Sequence, residues 1–213
     1  MTYKTDSLRH GSRRETLERD KTDKIIREFH LQNSDRNYIA FTVTTCESQL
    51  RNLQIWEREE ARNDLATSVL NRTIHRLSSV IEKNYKRDTF SSVRFKAMGS
   101  IEHRGRANSH LVAPHLHGTL AVHPSWTTRF LSLLEPDRSG GGFSLTQDFW
   151  NSSMGSLRQD VSSIYMKPVS NLFRWSAYCF KQVPHPELGI NTDDQWSALV
   201  FTHDGLAKPK TNF

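Results

Sequence analysis

An α+β fold is predicted, with a central antiparallel β-sheet, helices packed mainly on one face, and the other face open. Three observations lead there. Four stretches rich in β-branched and aromatic residues read as strands, at 37–46, 91–103, 113–122 and 160–169. One long stretch, 57–87, repeats its apolar residues at helical spacing. The strands also agree on which side is apolar, so they can share one sheet with a single dry face.

The elements follow in order. Residues 1–24 are charged and aperiodic, with little to bury, and read as a mobile arm or a frayed helix ahead of a single domain over 25–213. "NYIAFTVTTC" (37–46) is the first strand. In 57–87, Leu65, Val69, Leu70, Ile74, Leu77, Val80 and Ile81 form the buried stripe of an amphipathic helix, and His75 reads as an ordinary surface residue. "SSVRFKAMGSIEH" (91–103) is a strand, joined by the polar loop "RGRANSHLV" to the strand "APHLHGTLAV" (113–122). "SWTTRFLSLLE" (125–135) reads as a helix and the glycine-rich "DRSGGGF" (137–143) as a flexible loop. "DVSSIYMKPV" (160–169) is a strand ended by Pro168; "NLFRWSAYCFKQ" (171–182) is a helix stopped by Pro184 and Pro186. The last 30 residues are too mixed in pattern to assign.

Composition narrows the class. The chain has 213 residues, 36% of them hydrophobic and 24% charged, with a net charge of +6, which suits a polar globular domain facing an anionic partner, nucleic acid first. Cys46 and Cys179 make no zinc-type pattern and no disulfide framework, which suits a reducing compartment. No apolar leader and no run of about 18 apolar residues is present, so a cytoplasmic protein with no membrane partner is expected.

The strand at 113–122 poses the chemical question, because it carries His115 and His117 in otherwise apolar company. Residues two apart on a strand share a face, so both imidazoles project to one side, away from Leu116, Leu120 and Val122. Phe95, Ala97 and Ile101 likewise oppose Met98, Ser100 and Glu102, and Ile39, Phe41 and Val43 oppose Thr42 and Thr44. The open face then collects Thr42, Thr44, Glu102, His115 and His117. A hydrogen-bonded structural histidine pair would satisfy the spacing alone. A carboxylate joining two imidazoles is better suited to a divalent cation. His103 has the wrong parity to be a ligand, and His123 has the right parity but lies about 20 Å along the strand from His117. On the helix at 171–182, Arg174, Tyr178 and Lys181 share one face and Phe173, Ala177 and Phe180 the opposite one. A tyrosine between two cations is placed to accept a phosphoryl group, because the cations favour the phenolate and neutralise developing charge.

"FTVTT" (41–45), "PHLHG" (114–118) and "YCFK" (178–181), in that order, resemble the three motifs of the HUH endonucleases in their rolling-circle replication, or Rep, branch. The resemblance spans roughly residues 38–182, and the order differs from conjugative relaxases, where the tyrosine precedes the histidines. It implies an HUH/Rep-like fold related to RNA-recognition-motif sheets, and a single-tyrosine nuclease that nicks and joins single-stranded or hairpin origin DNA. His115, His117 and Glu102 would hold Mg²⁺ or Mn²⁺, Tyr178 would form a 5′-phosphotyrosine and release a 3′-hydroxyl, and Lys181 would steady the phosphate or the tyrosine oxygen. Arg94, Lys96, Arg104 and Arg106 would track the DNA backbone, with Arg174 on the tyrosine helix; Phe95 and most tryptophans are better suited to the core than to base stacking. Gln182 departs from the Rep pattern: single-tyrosine transposases of the superfamily carry a polar metal ligand at that place. The third ligand and the choice between replication and transposition therefore stay open. A non-catalytic, metal-stabilised origin-binding module is a further alternative, and Tyr178 separates it from a nuclease. Histidine-triad hydrolases would need a histidine where Thr119 stands, and a two-motif HxT/S phosphoesterase would need to recruit His10 from the charged arm. An amidohydrolase barrel needs about 250 residues. No P-loop GxxxxGK[ST] is present, so unwinding would fall to a separate helicase.

Overall fold

The computed structural model describes residues 24–46, 55–104, 111–137, 141–179, 200–203 and 210–211. Within these, the side chains of Glu102, Arg104 and Tyr178 lie outside the described set although their backbones are in it. The chain forms two compact units, Met1–Ser34 and Asp35–Phe213.

In the first unit, a helix α1 spans 24–32, a stretch whose sequence pattern assigns no element. Asn33 ends it by donating its side-chain amide to the Phe29 carbonyl at 2.8 Å. That bond meets one of the carbonyls a helix terminus leaves without a partner. The charged arm expected over 1–24 falls outside the described residues except for Lys24.

Among the described residues, the strands of the second unit form one sheet. Its strands are β1 (Asn37–Thr45), β2 (Lys96–Arg104), β3 (Leu111–Val122), β4 (Leu134–Pro136), β5 (Phe143–Leu145), β6 (Val161–Pro168), β7 (Val200–His203) and β8 (Lys210–Thr211). They lie in the order β4-β5-β6-β1-β3-β2-β7-β8, and every neighbouring pair is antiparallel. The histidine strand β3 is central, flanked by β1 and β2. An α+β architecture with an antiparallel sheet is thus what the chain adopts.

One face of the sheet is dry. Ile39, Phe41 and Val43 of β1, Leu116, Leu120 and Val122 of β3, and Ile164 and Met166 of β6 are all buried there. Helix α2 (Ile55–Ile81) lays Ala66, Val69, Leu70, Ile74, Leu77 and Ile81 into the same core. Helix α3 (Pro124–Leu131) adds Trp126 and Phe130, both packed edge-on against Phe95. Phe95 is fully buried, so it is core, as its apolar parity predicts. Val80 departs from the predicted stripe and is 45% exposed at the last turn of α2.

Boundaries shift where side chains bond to the backbone. The helix predicted to 87 stops at Ile81, and the strand predicted from 91 starts at Lys96. A turn over 82–95 fills the gap, and it includes a short 3-10 turn, Asp88–Phe90. Arg94 holds this turn: its guanidinium donates to the carbonyls of Tyr85, Lys86 and Arg87, each at 2.8 Å. His75 accordingly is not an ordinary surface residue. It is half-buried on α2, and its Nδ1 meets the Tyr85 hydroxyl at 2.5 Å.

The stretch 125–135 divides into α3 and the start of β4; β4 pairs with β5, Asp137 N–H donates to Gly142 O at 2.9 Å, and the loop expected over 137–143 lies partly outside the described residues. Gly141 there has φ 108°, a left-handed value that glycine adopts without steric cost. Helix α4 (Gln147–Ser153) is capped by the Thr146 hydroxyl, which accepts from Phe149 N–H. On the far side of the sheet from the core helices lies α5 (Leu172–Cys179).

Candidate functional site

The pairing of β1, β3 and β2 sets the site. His117 lies opposite Thr42 on one side and Ser100 on the other; His115 lies opposite Thr44 and Glu102. Directly paired residues point to the same face. Thr42, Thr44, Ser100, Glu102, His115 and His117 therefore occupy one compact patch on the face opposite the dry core, the grouping that parity predicts.

Both imidazoles are half-buried. Their ring centroids are 6.2 Å apart and their planes differ by only 8°. The Thr42 Oγ1 lies 3.0 Å from His117 Nδ1, a hydrogen bond that leaves the ring little freedom to turn. Two imidazoles, with a glutamate at the paired position of the adjacent strand, are the residue types from which divalent-cation sites are made. Among the described side chains, no group of three or more His, Cys, Asp and Glu is gathered for a metal, and the Glu102 side chain is not among them.

Helix α5 closes on this same face. Asn171 caps it, its side-chain oxygen accepting from Arg174 N–H at 2.9 Å. The Trp175 indole donates to the carbonyl of Gly118, the residue after His117, at 2.9 Å. In return the Ser100 hydroxyl donates to the carbonyl of Cys179, the residue after Tyr178. The expectation of an open face therefore needs correcting: α5 covers part of it, where Met98, Ser100 and Thr119 are buried. The physical reason is that Leu172, Ser176 and Cys179 give α5 a buried side of its own.

Helix α5 thus brings the backbone of Tyr178 to the histidine face. Lys181, Gln182 and Arg106 lie outside the described residues, as do the side chains of Tyr178, Glu102 and Arg104. Of the described cationic residues, Arg174 is exposed on α5 and Lys96 is half-buried on β2 with the parity of Ser100 and Glu102. Arg94 is a correction. It is 6% exposed and committed to backbone carbonyls, so it is a turn clamp rather than a phosphate contact.

Tyr165 belongs to the patch as well. It pairs with Thr42 from β6, so it stands on the histidine face, and its ring packs against Gly142. The alternation of Ser163, Tyr165 and Lys167 with Ile164 and Met166 carries that signal in the sequence.

Among the described residues, no helix is long and apolar enough to cross a membrane. Comparisons with protein-family models, with curated proteins and with solved structures found no match.

Proposed function

We propose that the chain is a metal-dependent, single-tyrosine nuclease of HUH type that nicks and rejoins single-stranded DNA to initiate rolling-circle replication. The observation that carries the reading is the reciprocal bonding of α5 to the histidine strands. It brings the backbone of Tyr178 to the face that carries His115 and His117, with Glu102 on the adjacent strand.

In this reading His115, His117 and Glu102 hold Mg²⁺ or Mn²⁺, which when bound polarises the scissile phosphate. Tyr178 supplies its phenolate oxygen. A bond forms from that oxygen to phosphorus as the bond to the 3′ oxygen breaks; the departing oxygen takes up a proton and becomes the 3′-hydroxyl. The product is a 5′-phosphotyrosine, and attack by a 3′-hydroxyl on it reverses the step and rejoins the strand. Arg174 and Lys181 neutralise phosphate charge around the tyrosine. Origin DNA, alone or with a separate helicase, is the partner.

The test uses a pool of 3′-labelled single-stranded and hairpin oligonucleotides with Mn²⁺ and the full chain. The label stays with the downstream fragment, so a covalent adduct migrates with the protein on a denaturing gel. Tyr178→Phe should abolish the adduct, whereas Tyr165→Phe should retain it. An adduct mapped to Tyr165 would overturn the assignment. No adduct with any oligonucleotide would favour a binding module.

A further inference from the structure

We propose that Thr42 is a positioning residue for His117, accepting a hydrogen bond from its Nδ1–H and so leaving Nε2 with the lone pair that a cation needs. This rests on the metal reading of the site.

A neutral imidazole carries one N–H and one lone pair, so a ring that binds metal through Nε2 must carry its proton on Nδ1. That proton needs an acceptor, and partners of this kind fix both the tautomer and the ring plane. The Thr42 Oγ1 lies 3.0 Å from His117 Nδ1. Thr42 is also the direct cross-strand neighbour of His117, in the middle of β1, and Tyr165 pairs with it from the other side. A β-branched residue within a strand has few χ1 choices, so its hydroxyl is held where the ring meets it. Sequence parity puts Thr42 on this face; the bond gives it a task there.

Two substitutions isolate the hydroxyl. Thr42→Val keeps the shape and the strand preference but removes the acceptor, and Thr42→Ser keeps the acceptor. Mn²⁺ is titrated into the metal-free full chain by calorimetry, and the ring nitrogens of His117 are followed by ¹⁵N NMR without metal. Thr42→Val should weaken Mn²⁺ binding by about ten- to a hundredfold. Thr42→Ser should restore it. The wild-type ring should show the Nδ1–H form, and Thr42→Val a mixture of tautomers. Unchanged Mn²⁺ affinity in Thr42→Val would overturn the proposal. If the wild type binds no Mn²⁺, the metal reading falls separately. The nitrogen shifts then decide the role of Thr42, and an Nε2–H ring in the wild type overturns it.

Discussion

Arg94 shows how a single residue can be read correctly for charge and wrongly for place. A cation ahead of a strand suits a phosphate contact, yet its guanidinium is spent on the carbonyls of Tyr85, Lys86 and Arg87. Long-range packing decides this, and no local pattern announces it. Arg94→Met should cost about 2 kcal/mol of stability, because it strands one buried and two part-buried carbonyls, with a lower denaturant midpoint as the measurement. Arg174→Ala should leave stability unchanged, since that side chain is exposed. His75 was misplaced for the same reason. Burial holds its pKa below the usual 6.5, with Lys86 adding to the effect. The folded state therefore resists protonating His75 more than the unfolded chain does. Its contribution should be intact above pH 6.5 and lost as pH falls through that value toward the lowered one. Thermal melts across this range should show stability falling on acidification, with a shallower fall in His75→Gln.

Among the elements, α5 is where fold and chemistry meet. Its existence was legible: the alternation of apolar and polar residues over 171–182 calls for an amphipathic helix, and the described part matches. Its docking on the histidine face is expected from the resemblance but from no local pattern, because it depends on one indole and one hydroxyl reaching carbonyls far along the chain. Likewise the strands at 37–46 and 113–122 emerged nearly at their observed bounds, while β4, β5 and α4 were missed. Each of those three has 7 or fewer residues, too short for periodicity to build up. Ser100→Ala should reduce stability by only about 1 kcal/mol, the net worth of one hydrogen bond. If the docking serves Tyr178, adduct formation should fall far more steeply than that loss explains, while Mn²⁺ affinity stays the same. Equal losses in both would mean that Ser100 supports the metal face alone.

At the scale of the whole molecule, the proposed DNA partner would meet a formal net charge of +6. Binding to unstructured single-stranded DNA should weaken with salt, with a log–log slope of about −0.7 for each phosphate neutralised. Arg174→Ala should make that slope shallower by about the same unit if the helix touches the backbone. A fluorescence-anisotropy series over salt measures both. Side-chain parity is a property of the whole sheet too. It is legible for Thr42, Ser100, His115 and His117 because one face of β1, β2 and β3 is dry, so alternation there has a single meaning.

Gly118, between the histidines and the apolar end of β3, gives that alternation a mechanical stop. A methyl group placed on it would come within 2.6 Å of both the Met98 carbonyl and the Phe41 ring. A slip of β3 by one residue would drive the side chain of His117 or Thr119 into a slot that admits none. The same slip would turn both imidazoles toward α2. The missing side chain thus works as a ratchet tooth: of the ways this strand could be laid between its neighbours, it removes those that would hide the histidines.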